Sequence, residues 1–199
     1  MNTAHSQEVC NLLIDSAEVV VTRDGVARLT LEAVAREAGL SKSGLLHHFP
    51  SKEVLIDAIV DRTVVQWSQS VEEAIEQLPA GPHRTARGLL HCCLGDASAW
   101  NEQLHRSSSA LLAVLVHCPD KSTTLHQFYN KLHSKMEHEG RGSPFGDLVL
   151  AVIDGFWLRW VTGLAPLEDS QIVRMRKLLE SLIPKVGNTK KKKVARRSS

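Results

Sequence analysis

Nowhere in its 199 residues does the chain hold the roughly 20 consecutive apolar positions that a bilayer-crossing helix needs, so no membrane partner is expected. The opening residues, MNTAHSQEVCN, lack the basic start and apolar core of a secretory signal, and a cytoplasmic location is expected. Cysteine is scarce. Cys10, Cys92, Cys93 and Cys118 need no pairing in a reducing compartment. There is no CxxC or HxxxH pair, so His91-Cys92-Cys93 and the spaced His126, His133 and His138 read as structural or solvated residues, with no metal site expected. Neither a Ser-His-Asp order nor a phosphate-cradling glycine loop stands out, and the scattered carboxylates share no context. Catalysis and a cofactor are therefore not expected. Strand signals and internal repeats are absent too, which leaves an all-α fold.

What is present fits a soluble globular protein: 43% hydrophobic and 23% charged residues, enough for one compact unit or two small ones. The net charge of +2 hides an asymmetry. Residues 185–199 hold Lys185, Lys190 to Lys193, Arg196 and Arg197 with no acid, so residues 1–184 carry −5. No fold-wide positive field is available to attract nucleic acid. Any such function must rest on local residues.

The stretch Leu29 to Lys52, LTLEAVAREAGLSKSGLLHHFPSK, supplies them. Leu31, Val34, Ala35 and Ala38 recur at helical spacing, with Thr30 placed to cap them. Gly39 provides the backbone freedom for a sharp exit. Ser41 can cap a second helix, whose Leu45 and Phe49 point back at the first. Its other face carries Lys42, Ser43, Gly44, His47 and His48. A small residue at the crossing and a glycine in the turn make a helix-turn-helix over 30–49. Short outward residues suit a helix that must enter a groove about 12 Å wide. Lys42 can reach a guanine edge or a phosphate, the imidazoles can donate to phosphate, and Lys52 lies at the start of the next helix, where a phosphate is favoured.

Elsewhere the periodicity predicts helices over 6–22, from Ser51 to about Gln77, and over 83–96. A segment 100–116 reads as one helix or as two split near Arg106 to Ser109. A helix opening at Ser122 or Thr123 precedes a loop at Glu139 to Pro144, and helices 145–164 and 168–183 follow. Pro79-Ala-Gly-Pro82 breaks the chain after the long helix. That helix is the expected connector between an N-terminal head, residues 1–52, and a larger helical body, residues 53–184.

Over residues 7–67 the sequence resembles the TetR family of bacterial transcriptional regulators, most specifically in AxxAGLSKSGLLHHFPSKEVL. Asp154 to Leu164 also resembles that family's penultimate helix, while residues from about 80 to 145 carry no placeable motif. The resemblance implies a three-helix DNA-binding head, an effector-binding and dimerisation body, and a dimer on a palindromic double-stranded operator. It also implies release by a small-molecule effector, most often from a repressor. Carried over, Thr30 and Ser41 cap helices and touch phosphate; Lys42, Ser43, Gly44 and Leu46 face bases; His47, His48 and Lys52 contact phosphate. Leu46 and His47 stand where tyrosine is common, and Val21 where an aromatic is. The imidazoles of His47 and His48 make phosphate contact depend on their protonation. The alternative is a small-molecule-binding or interaction protein whose head no longer reads DNA.

Helix 145–164 is apolar on more than one side. Paired with helix 168–183 across a two-fold axis it would bury Leu148, Val152, Trp160, Leu164, Ile172, Met175 and Leu179 in a homodimer. Aromatic walls with a few polar atoms suit a small-molecule pocket, and the candidates are Trp67, His91, Cys92, Trp100, Leu104, Ser108, Leu112, Phe128, Phe156 and Trp157. The tail 185–199, with almost nothing to bury, reads as disordered, either a solubilising end or a sequence-independent DNA tether.

Overall fold

The computed structural model describes residues 3–95, 100–166 and 168–184. The tail and its expected role lie outside them. Nine α-helices, with no strand, make up the described residues: α1 (Thr3–Asp24), α2 (Leu31–Glu37), α3 (Lys42–His48), α4 (Lys52–Glu76), α5 (Arg84–Leu94), α6 (Glu102–His117), α7 (Thr123–Gly140), α8 (Phe145–Val161) and α9 (Asp169–Ser181). Short 3-10 turns at Val26–Arg28 and Pro119–Ser122 join α1 to α2 and α6 to α7.

The expected caps form. Thr30, Ser41 and Ser51 each accept a hydrogen bond from the backbone N–H three residues on, at 3.1, 3.0 and 3.2 Å. Each hydroxyl thereby satisfies one orphan donor at the start of α2, α3 or α4. Gly39 closes α2 at φ +68, a conformation costly for residues with a Cβ, and lets Leu40 N–H donate back to the Ala35 carbonyl at 2.9 Å. That turn sets α3 across α2.

One core joins the head to part of the body. Leu13, Ala17, Val21, Leu29, Val34, Leu45, Phe49, Leu55 and Ile59 are buried together, and Ala110, Leu111 and Val114 of α6 complete the cluster. The second core lies between the far half of α4 and helices α5, α7, α8 and α9, around Leu90, Leu94, Val149, Ile172 and Leu179. Where α5 meets the end of α4 the backbones nearly touch. A Cβ on Gly88 would lie 2.4 Å from Ile75 Cγ1 and 3.1 Å from its Cα, so only glycine admits this approach.

One boundary left open by the sequence closes, and two differ from expectation. Helix α6 runs unbroken through Arg106 to Ser109, because Ser107 is buried and its hydroxyl donates to the Gln103 carbonyl one turn back, at 3.1 Å. The segment read as a loop from Glu139 begins later. The Glu139 carboxylate accepts from Thr85 N–H at 2.5 Å and from the Thr85 hydroxyl at 2.8 Å, capping α5 from the last turn of α7. Helix α8 stops at Val161 rather than 164, with Gly163 at φ +66.

Candidate nucleic-acid interface

Packing Leu45 and Phe49 inward decides which residues of α3 remain outside. Leu45 is fully buried and Phe49 nearly so. The helical turn then leaves Lys42, Ser43, Gly44, Leu46 and His47 exposed, with the caps Thr30 and Ser41 beside them. Seven of the nine residues predicted to touch DNA thus lie on the open surface of the head.

The other two are engaged. The Lys52 ammonium donates to the Val26 carbonyl at 3.1 Å, tying the start of α4 to the 3-10 turn. His48 is half-buried, with Nδ1 3.3 Å from the Cys10 sulfur of α1. Each would have to leave that contact to reach a phosphate. Lys42 has a partner as well: it forms an exposed ion pair with Glu32 of α2, whose carboxyl the Lys42 hydrogen bond holds below the usual range. Exposed pairs are weak and screened, so this one can yield to a phosphate or a guanine.

Behind the head, α4 to α8 line a half-open cavity of about 640 Å³. That volume suits a drug-sized ligand. Of the predicted lining residues, Trp67, Cys92, Trp100, Leu104, Phe128 and Trp157 face it. Four do not, and helical geometry gives the reason. On α6 the wall is Gln103, Leu104, Ser107 and Leu111, so Ser108 and Leu112 lie one residue further round the helix; Ser108 is fully buried elsewhere. His91, one residue before Cys92, is exposed. Phe156 lines a separate hollow of about 260 Å³ between α8 and α9, with Arg159, Met175 and Leu178.

Tyr129 and Asp154 of the cavity wall were missed. Tyr129 sits on a stripe that reads as plain core, next to Phe128. Asp154 offered a signal: it is an acid in the apolar run Leu148 to Trp160. The Tyr129 hydroxyl donates to the Asp154 carboxylate at 2.6 Å. Burial pushes both groups up; at Asp154 the donated hydrogen bond pulls the other way. Cys92 and Cys93 also face the cavity, and the interaction of the two adjacent thiols lowers Cys92 and raises Cys93.

The residues predicted to pair two protomers divide. Leu148 and Leu164 are exposed, the latter by 74%, and Val152, Trp160 and Met175 are half-buried. Ile172 and Leu179 are not available: both are buried in the protomer's own second core. The exposed apolar residues of α9 and its exit are Val173, Leu178 and Leu182, because α9 turns its Ile172–Leu179 face inward.

This arrangement has close parallels. Residues 13–59 match the family model described as bacterial regulatory proteins, tetR family, and residues 83–184 match the tetracyclin repressor-like, C-terminal domain. The chain belongs to the TetR family. It is accordingly a helix-turn-helix transcriptional regulator that binds DNA. The HTH-type transcriptional regulator BetI of Serratia proteamaculans is 26% identical over 172 residues, covering 82% of this chain and 86% of that protein. The regulator EthR of Mycolicibacterium smegmatis is 25% identical over 75 residues, which span 38% of this chain and only 35% of EthR. Among solved TetR-like folds, the multidrug binding protein EbrR, complexed with malachite green, superposes with a TM-score of 0.60 at 22% identity, over 88% of this chain and 98% of that one. Among the described residues no helix is long and apolar enough to cross a membrane.

Proposed function

We propose that the protein is a dimeric repressor that occupies a palindromic operator through α3 of each protomer and is released by a small-molecule effector in the 640 Å³ cavity. The observation that carries this reading is α3 itself. Its Ser41 cap and buried Leu45 hold Lys42, Ser43, Gly44 and His47 outward on a surface otherwise free of bulk near the helix start. A palindromic operator needs two such helices about 34 Å apart, and the exposed Leu148, Leu158, Leu164, Leu178 and Leu182 provide apolar surface for a second protomer. On α8 an added Cβ at Gly155 would meet nothing within 4 Å, leaving room for a partner helix there.

Release follows from shared walls. Trp67 of α4, Leu111 of α6 and Phe128 of α7 line the cavity and also pack on or within the head core. A ligand with different affinities for two arrangements of these helices shifts the head, and with it the spacing of the paired recognition helices. That EbrR is a multidrug binding protein supports a cavity of this kind as a binding site.

The test is a gel shift with the double variant Lys42→Ala/His47→Ala. Losing a base or phosphate contact at each position should weaken operator binding by about 30-fold or more, at about 1–3 kcal/mol per contact. Undiminished binding would remove α3 as the reading helix.

A further inference from the structure

We infer that the cavity selects a lipophilic organic cation, for which Asp154 is the counter-ion and Trp67, Trp100 and Trp157 form the aromatic wall. This assignment rests on the reading of that cavity as the effector site. Among the described residues that line it, Asp154 carries the only charged side chain. Among the described residues its single hydrogen bond comes from the Tyr129 hydroxyl, a neutral donor that engages one carboxylate oxygen and leaves the other for a ligand. Among the described residues the only basic side chain acting on it is His133 of α7, whose Nδ1 lies 3.1 Å from the Asp147 carboxylate. A half-buried carboxylate without a cationic partner is unfavourable, and a bound cation offsets that cost.

The walls point the same way. Five aromatic side chains border the space, and Trp67 and Trp157 meet edge to face at 5.9 Å between centroids. Aromatic faces attract cations, tryptophan most strongly, and more so where water is excluded. An anionic ligand would meet the carboxylate and the negative ring faces together. A neutral apolar ligand would leave Asp154 desolvated and unpaired. The size of the cavity, about 640 Å³, calls for a bulky cation bearing rings or alkyl arms rather than a metal ion or a simple ammonium.

Tetraphenylphosphonium and tetraphenylborate test this directly, being alike in shape and opposite in charge. Each is titrated into the full-length protein with tryptophan fluorescence as the readout, since three of its four tryptophans line the cavity. Tetraphenylphosphonium should quench saturably and bind at least about tenfold tighter than tetraphenylborate, a difference of about 1.4 kcal/mol. Asp154→Asn should lower the phosphonium affinity by about tenfold and leave the borate affinity unchanged or raised. Tyr129→Phe, which keeps the carboxylate, should retain the preference for the cation. Equal binding of the two ions, no phosphonium binding, or an unaltered phosphonium affinity in Asp154→Asn would each overturn the assignment. A gel shift on operator DNA separates the two levels. Phosphonium that binds with this charge preference and leaves DNA in place contradicts effector release alone. A neutral molecule that releases DNA where phosphonium fails to bind contradicts the cation alone.

Discussion

Gly44→Glu is expected to abolish specific DNA binding while leaving the fold as stable as before, or more so. Gly44 is the third residue of α3, and its N–H donates to the Ser41 hydroxyl at 3.0 Å. Glutamate there completes a capping box with Ser41, and its charge suits the positive end of the helix. It also removes the entropic cost of a helical glycine, worth about 0.5–1 kcal/mol. The new Cβ would meet only the Ser41 hydroxyl, at 3.3 Å, which moves by a few tenths of an ångström to admit it. DNA experiences the opposite. A long anionic side chain would stand where the backbone must approach the groove, beside phosphates, and affinity should fall by at least about 100-fold, or about 2.8 kcal/mol. Fluorescence anisotropy on an operator duplex and a thermal melt on the same sample check both halves. Retained affinity would show that Gly44 does not face the DNA.

Arg62→Ala is expected to cost about 3–5 kcal/mol of stability, a fall in Tm of about 6–20 °C for a chain of this size. Glu18 of α1 is fully buried, and Arg62 of α4 supplies its charge partner at 2.5 Å while also reaching Asp15 at 2.8 Å and the Asn11 carbonyl at 3.2 Å. Even so, burial leaves the Glu18 carboxyl above its ordinary range, and its second oxygen has no partner among the described residues. Removing the guanidinium strands a buried carboxylate where head and connector helix meet. A carboxyl whose folded pKa is raised contributes stability that is fully present below its unfolded value, near 4.5, and lost as pH rises through the folded value. The deficit of the variant should therefore be smaller at pH 5 than at pH 8. Replacing both partners, Glu18→Leu with Arg62→Met, should recover most of the loss, since no unpaired charge remains. A melt of Arg62→Ala within about 1 °C of the native protein would mean the pair is not buried in solution.

The head was legible because each of its signals is local. Thr30, Ser41 and Ser51 cap within three residues, Gly39 turns within one, and Val34, Ala35, Leu45 and Phe49 all turn into one core. The body was less so, because its decisions are made between distant helices. Nothing near Glu139 announces that it caps Thr85, and Ile172 and Leu179 look like any outward apolar stripe until α5 and α8 are placed against them. Nor does a sequence say which of Ser107 and Ser108 faces a cavity, since that depends on the rotation of α6. Partners unforeseen from sequence, such as Glu32 for Lys42 and Val26 for Lys52, come from the crossing of helices.

The central claim is that two copies of α3 read a symmetric operator. Selection from random duplexes with the full-length protein, followed by sequencing, tests it most directly. The account predicts enrichment of an inverted repeat with half-sites about one helical turn apart, each a single contiguous motif. It also predicts that the Gly44→Glu variant enriches nothing. A pool that stays random, or a lone half-site without its mate, would contradict it.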